Sequence, residues 1–128
     1  MRAILLKEGR ILDLFTLKSG GENEVVSFLQ SSGNQELRKC IARFTRLFEI
    51  IADERGLDLP RGMKGAWREH GELLIELKKG AYRIGCFQYG RKLLLVNVFR
   101  KTRDVETGAY EHAVDMKKAF DENQIWSK

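Results

Sequence analysis

The sequence predicts an α+β fold with the element order β-α-α-β-β-β-α, in which helices pack on one face of a mainly antiparallel sheet. Three observations predict it. Residues 73–99 hold three consecutive runs with the composition of β-strands. Within residues 37–51, apolar side chains recur at steps of three and four positions, which is typical of an amphipathic helix. Residues 106–123 also have a helical pattern.

The N-terminal residues indicate β-structure in one of two arrangements. Apolar runs at residues 4–6 and 11–17 flank the turn-like sequence of residues 7–10. They predict either a short hairpin or a single strand preceded by an N-terminal extension, residues 1–10.

Two helices are predicted after this β-structure. Asn23 is a suitable N-cap for a short helix that ends near Gln30, and Asn34 is a suitable N-cap for the long amphipathic helix. Gly56 supplies the C-terminal stop of the long helix. Residues 57–68 are expected to be a connector that leads to the sheet.

The three strands of the sheet are predicted at residues 73–78, 82–87 and 93–99. Gly80-Ala81 and residues 89–92 form tight links, which favour antiparallel pairing of successive strands. The third strand is apolar at nearly every position. We therefore expect it to be a central strand that is buried on both faces.

Length and composition indicate one domain that spans residues 1–128. No apolar run approaches the roughly 20 residues that span a bilayer. Residues 1–7 contain too few apolar side chains for the core of a signal peptide, so we expect a cytoplasmic protein. Cys40 and Cys86 match no zinc spacing and are expected to be small buried hydrophobic residues.

The positive charge of the chain is concentrated in the predicted sheet. Residues 61–103 hold eleven basic and three acidic residues, a net charge of +8, whereas the whole chain carries +5. Cations clustered at strand ends are typical of a surface that binds phosphate groups, and RNA is the leading candidate ligand. The alternative is a sheet edge that lysine and arginine side chains keep solvated.

The sequence favours metal-free RNA chemistry over other reactions on phosphate groups. It contains no nucleophile pair, no phosphate-binding loop and no cluster of metal ligands, so no metal and no cofactor are expected. RNA supplies its own nucleophile, the 2′-OH. The protein must then align the nucleotide, stabilise charge on the five-coordinate phosphate and transfer protons at the 2′-OH and the 5′-oxygen.

Four residues are candidates for catalysis, and a fifth for binding. Arg83 and Lys101 are expected to stabilise the negative charge of the transition state. Glu76 is a candidate general base, and Lys78 is the alternative base, provided that surrounding positive charge favours its neutral form. Arg103 is expected to bind the RNA backbone. The alternative interpretation of Glu76 is a cross-strand salt bridge with Lys78 or Arg83.

Histidine and aromatic residues near these positions have alternative interpretations. His70 and His112 are more typical of ordinary surface histidines than of acid–base residues. Trp67 is expected to anchor the connector to the core or to stack on a base. Tyr82, Tyr89 and Tyr110 are candidates for base stacking, although Tyr110 falls where the tail helix would pack against the core.

Two sequence motifs resemble a known family. Residues 76–87 read Glu-Leu-Lys-Lys-Gly-Ala-Tyr-Arg-Ile-Gly-Cys-Phe, and residues 99–102 read Phe-Arg-Lys-Thr. Together they resemble the RelE/ParE toxin superfamily, and in particular its phage-derived HigB-like branch. The resemblance covers about residues 11–122. It implies a RelE/ParE-like fold and a ribosome-dependent, metal-free mRNA endonuclease that a small antitoxin, often with a helix-turn-helix domain, neutralises.

The resemblance also implies roles for individual residues. Arg83 matches the arginine thought to hold the scissile phosphate. Arg100 and Lys101 match a basic pair after the last strand, and Lys78 matches a basic residue before the Tyr-Arg strand. Relatives often carry Lys or Arg at the position of Glu76, and many carry a catalytic histidine that this sequence does not show. A ParE-like gyrase inhibitor and a non-catalytic, toxin-like interaction protein are therefore the alternatives.

Overall fold

The computed structural model describes residues 1–101 and 107–128. In chain order, the elements are β1 (Arg2–Lys7), β2 (Asp13–Lys18), α1 (Glu24–Leu29), α2 (Gln35–Glu49), a π-helical segment (Ile50–Arg55), β3 (Lys64–Glu69), β4 (Glu72–Lys79), β5 (Tyr82–Tyr89), β6 (Lys92–Arg100), α3 (Thr107–Asp121) and β7 (Trp126–Ser127).

These strands form one mixed sheet in an α+β fold. Within the described residues the sheet has seven strands in the order β3-β4-β5-β6-β2-β1-β7. The pairs β2–β6 and β1–β7 are parallel, and the other neighbours are antiparallel. The meander β3-β4-β5-β6 makes up one side of the sheet. Strand β2 lies beside β6, so the hairpin β1–β2 extends the sheet beyond β6.

The predicted element order β-α-α-β-β-β-α is wrong, and so is the RelE/ParE-like order that the resemblance implied. Residues 2–18 form the hairpin β1–β2, which was one of the two predicted arrangements, whereas the predicted order counted a single strand there. The expected connector contains β3, and β7 follows α3. Strand β3 was not predicted because it is an edge strand without a fully buried residue, so its pairing with β4 needs no apolar pattern in the sequence.

The prediction that helices cover one face of the sheet is also wrong. Helices α1 and α2 pack on one face, where Phe44, Leu47 and Ile51 meet Leu77 and Ile84 in a first core. Helix α3 packs on the opposite face, in a second core. The residues of the second core include Ala3, Phe15, Leu17, Leu74, Phe87, Leu94, Val96, Tyr110, Ala113, Val114, Met116 and Phe120.

Strand β6 has the central, doubly buried position that its sequence predicts. It lies between β5 and β2. Leu93 and Leu95 belong to the first core, and Leu94 and Val96 to the second. All four are fully buried. Because successive side chains of a strand point to opposite faces of the sheet, β6 contributes to both cores.

The long helix begins at Asn34 and stops at Gly56 as predicted, but its last turns are π-helical. The Asn34 side chain accepts a hydrogen bond from the backbone N–H of Leu37, as expected of an N-cap. The regular α-helix ends at Glu49, and the π-helical segment continues the chain to Gly56, whose φ is +61°. No helix in the described part of the chain is long and apolar enough to cross a membrane.

A bulge between β5 and β6 positions the start of α3. The register of the two strands shifts between Gly85 and Cys86, and Gly85 pairs with Asn97. A Cβ at Gly85 would collide with the Asn97 side-chain oxygen, so glycine leaves room for the buried amide. Asn97 Nδ2 donates to the carbonyl oxygen of Ala109 at 3.0 Å, which ties the first turn of α3 to β6.

The other end of α3 is held by a half-buried polar network. Tyr89 OH donates to Asp121 Oδ1 at 2.6 Å, and Lys117 Nζ lies 2.6 Å from Asp121 Oδ2 and 2.9 Å from Glu72 Oε2. Burial alone would raise the pKa of Asp121, but the hydrogen bonds from Lys117 and Tyr89 hold this pKa below the ordinary aspartate value.

Replacing Asp121 by Asn should therefore lower stability in a pH-dependent way. The folded-state pKa of Asp121 is lowered, so its contribution is complete above the ordinary aspartate pKa of about 4 and is lost as the pH falls below that value. Urea unfolding of both proteins at several pH values measures it, with the exposed Asp115→Asn as the control on the same helix. A stability difference that stays constant down to about pH 3 would contradict this assignment.

Candidate functional site

Three of the predicted cationic residues converge on the α3 face of the sheet. Lys78 of β4 and Arg83 of β5 are cross-strand partners. Lys101 follows β6, and its backbone N–H donates to the Ala81 carbonyl oxygen at 2.7 Å. We call Lys78, Arg83 and Lys101 the cationic cluster.

The carboxylate of Glu76 lies beneath this cluster and is fully buried. Its Oε2 accepts hydrogen bonds from Trp67 Nε1 at 2.7 Å and from Tyr110 OH at 2.9 Å. Its Oε1 lies 2.9 Å from Arg83 Nε. The N–H direction at this last contact does not meet hydrogen-bond geometry, so the pair is held by charge attraction. Glu76 thus makes the salt bridge that was the alternative to its role as a base.

Arg83 is fixed by backbone groups as well as by Glu76. Its Nη1 donates to the carbonyl oxygens of Gly80 at 2.8 Å and Tyr82 at 2.9 Å. The side chain is 14% exposed. No residue within 1–101 or 107–128 accepts a hydrogen bond from Arg83 Nη2, so this nitrogen can donate to a phosphate oxygen.

Trp67 adds an exposed aromatic surface beside the cationic cluster. It lies on β3, is 43% exposed and stacks on Tyr110 with ring centroids 6.1 Å apart. Lys101 Nζ lies 5.9 Å from the centroid of the Trp67 ring, within the range of a cation–π contact. A Cβ at Gly65 would lie 3.3 Å from Lys78 Nζ and 3.4 Å from Trp67 Nε1, so both groups pack closely over Gly65.

Sequence reasoning undervalued Trp67 because it did not predict β3. It offered core anchoring or base stacking for this residue, and the structure gives it a buried indole N–H and an exposed ring. Tyr110 packs in the second core, the more expected of its two alternatives. The helical pattern of α3 gives no indication that the Tyr110 hydroxyl also donates a hydrogen bond to Glu76.

The remaining predicted residues lie elsewhere or cannot be placed. Arg100 and Tyr82 are cross-strand partners on the opposite face, with the Arg100 guanidinium 5.8 Å from the Tyr82 ring centroid. Tyr82 packs against Phe28 of the first core. The pair Arg100-Lys101 is therefore divided between the two faces. Arg103 lies outside the described residues.

Neither histidine lies within the cationic cluster. His70 is in the turn between β3 and β4 with a φ of +49°, and His112 is exposed on α3 with Nε2 3.7 Å from Glu24. Ligand atoms of Glu69, His70 and Glu111 lie within 4.8 Å of one another on the surface. Exposed groups of this kind are common without a metal ion.

The two cysteines are buried, as predicted. Cys40 is 6% exposed and Cys86 is fully buried. Burial raises the pKa of both thiols above the ordinary cysteine value. Both thiols are therefore protonated at neutral pH and behave as small hydrophobic groups.

Comparisons of the chain with protein-family models, curated proteins and solved structures found no match. The resemblance to RelE/ParE toxins consequently rests on the motifs at residues 76–87 and 99–102 alone.

Replacing Glu76 by Gln should destabilise the protein by about 3 kcal/mol, because it leaves the mostly buried Arg83 without its counter-charge. Denaturant unfolding measures this loss. Glu8→Gln, at an exposed position in the β1–β2 turn, is the matched control and should change stability by less than about 0.5 kcal/mol. Equal effects of the two substitutions would show that the Glu76–Arg83 pair does not stabilise the site.

Proposed function

We propose that the chain is the toxin of a type II toxin–antitoxin pair that cleaves mRNA on the ribosome, in the manner of HigB-like toxins. The observation that carries the proposal is the convergence of Lys78, Arg83 and Lys101 on one sheet face beside the exposed ring of Trp67. Clustered cations with an adjacent aromatic surface suit a single-stranded RNA, whose phosphates and bases they contact respectively.

Arg83 is the phosphate-binding residue in this proposal. Glu76 and the carbonyl oxygens of Gly80 and Tyr82 hold its guanidinium, so little reorganisation is required when a phosphate binds to Nη2. Lys101, which is exposed, places a second positive charge close to the same phosphate. Together they stabilise the charge that develops on the five-coordinate phosphate.

The RNA supplies the nucleophile. The 2′-oxygen attacks the adjacent phosphorus and loses its proton, the bond from phosphorus to the 5′-oxygen breaks, and this oxygen gains a proton. Lys78 is the residue of the cationic cluster assigned to proton transfer, because Glu76 is buried with both oxygens in contact with protein groups. Glu76 then acts on the reaction through Arg83, as a positioning residue.

The proposal includes the partners that this activity requires. The toxin acts in the cytoplasm on mRNA bound to the ribosome, and a cognate antitoxin, often a helix-turn-helix protein, neutralises it. The surplus of positive charge in residues 61–103 suits an rRNA-rich surface and also an acidic inhibitor.

A non-catalytic RNA-binding protein is the second candidate function. The observation in its favour is the burial of Glu76, which removes one of the two candidate bases from contact with a 2′-OH. Such a protein binds RNA through the same cationic cluster and leaves it intact. Measuring binding and cleavage on the same RNA separates the two functions.

Replacing Lys101 by Ala should lower mRNA cleavage by about 100-fold, because the transition state loses a positive charge at an exposed position where folding is little affected. Controlled expression in a bacterium, with mapping of mRNA ends, measures this. The wild type should arrest growth, and Lys101→Ala should relieve the arrest. Lys118→Ala, an exposed lysine on α3, is the matched control.

This experiment, together with RNA-binding measurements on the same purified proteins, distinguishes three outcomes. Growth arrest with cut mRNA in the wild type and the control, but not in Lys101→Ala, supports the endonuclease. RNA binding that depends on Lys101 without any cleavage supports the second candidate. Continued translation with intact mRNA and no RNA binding would contradict both.

Cleavage should also be independent of divalent metal ions, because the 2′-OH and the cationic cluster supply the required groups. The test adds EDTA to purified protein and programmed ribosomes whose structure is maintained with polyamines. Cleavage should persist, whereas a single 2′-deoxy nucleotide at the cut site should abolish it. Loss of cleavage in EDTA, or cutting at the 2′-deoxy linkage, would refute the mechanism.

A further inference from the structure

A second cationic site lies on the opposite face of the sheet, in a recess at the start of α2. It has a volume of about 90 Å³, and its lining includes Arg43, Cys40, Gly80, Tyr82 and Arg100. This volume is well above the roughly 10–15 Å³ that holds one water molecule, so the recess accepts a ligand of several atoms. We call it the α2 recess.

The charges around the α2 recess favour an anion. Arg43 comes from α2 and Arg100 from the end of β6, and both are exposed. The N-terminal end of α2 also lines the recess, and helix N-termini attract anions through their unpaired N–H groups. The opposing group is the exposed carboxylate of Glu36.

The charged groups around Cys40, which lines the α2 recess, also produce a net positive electrostatic potential. Among the charged groups that act on the Cys40 thiol, Arg43, Arg83 and Lys79 favour its anionic form, and Glu36 opposes it. Burial is nevertheless the largest influence and keeps the pKa of the thiol raised. The excess of cations at this point includes Arg83, which belongs to the cationic cluster on the other face.

The α2 recess and the cationic cluster are separated by the turn at Gly80-Ala81. Consecutive residues alternate between them: Tyr82 lines the recess and Arg83 lies in the cluster, and Arg100 lines the recess while Lys101 lies in the cluster. The turn carries little side-chain bulk, and Gly80 has a φ of +58°. A polymer of phosphates can therefore cross the turn closely and contact both sites.

We infer that an RNA strand bound at the cationic cluster crosses the Gly80-Ala81 turn and places a second phosphate in the α2 recess, between Arg43 and Arg100. This inference rests on the proposed function and extends it. It assigns to Arg43, which no sequence motif singled out, a role in binding RNA. It also gives the site a preference for RNA long enough to reach both faces.

The test measures the binding of 2′-fluoro RNA, which resists cleavage, to the full chain by fluorescence anisotropy. The double variant Arg43→Ala, Arg100→Ala should bind a dodecamer about tenfold more weakly than the wild type. It should also show a salt dependence whose logarithmic slope is smaller by about 0.7, as expected for one lost phosphate contact. Its affinity for a trinucleotide should be unchanged. Arg38→Ala, an exposed arginine on α2 outside the recess lining, is the control and should behave as wild type.

Each outcome has a defined meaning. A selective loss of dodecamer affinity in the double variant supports the inference. Unchanged dodecamer affinity in the double variant, with weakened binding in Lys101→Ala, overturns the inference and leaves the proposed function intact. Absence of RNA binding by the wild-type chain overturns both. Circular dichroism of each variant shows whether α2 remains folded, and Arg43→Gln alone repeats the test if the double variant unfolds.

Discussion

The buried carboxylate of Glu76 is the group around which the candidate site is organised. A charge removed from water is costly unless protein groups replace its hydration, and here three elements supply those groups. Trp67 comes from β3, Arg83 from β5 and Tyr110 from α3. The need to satisfy one carboxylate thus fixes an edge strand, a central strand and a helix relative to one another.

This arrangement holds one arginine of a small sheet in a fixed position, as the proposed binding of RNA requires. Long cationic side chains on an open surface lose much rotamer entropy when they bind. The ion pair and two backbone carbonyl oxygens have already ordered Arg83, so little of that loss accompanies binding. Lys101 is exposed and its ammonium group lies 5.9 Å from the centroid of the Trp67 ring, so it can adjust to the phosphate of the proposed RNA ligand. The cationic cluster therefore combines a rigid donor with an adaptable one.

The parts of the structure that follow from local pattern were predictable, and the parts that depend on distant contacts were not. The cap at Asn34 and the doubly buried β6 depend on sequence within a few residues. Strand β3 forms by pairing at an edge, which leaves little trace in composition.

Two features of the sites could not be predicted from local sequence. Predicting the burial of Glu76 would require knowing that α3 covers that face of the sheet. Predicting that Arg43 and Arg100 line the same recess would require knowing how α2 packs. The opposite orientations of Arg100 and Lys101 follow from strand alternation and could have been predicted.

The parallel pairing of β2 with β6 has a consequence for the order in which the molecule is made. Residues 13–16 pair with residues 92–95, so the sheet joins segments that are far apart in the chain. Contacts of such long sequence separation are slow to form because a large loop must close first. During synthesis, the N-terminal hairpin emerges long before its partner strand. Lys101 follows β6 along the chain, so the cationic cluster is also complete only after β6 has been made.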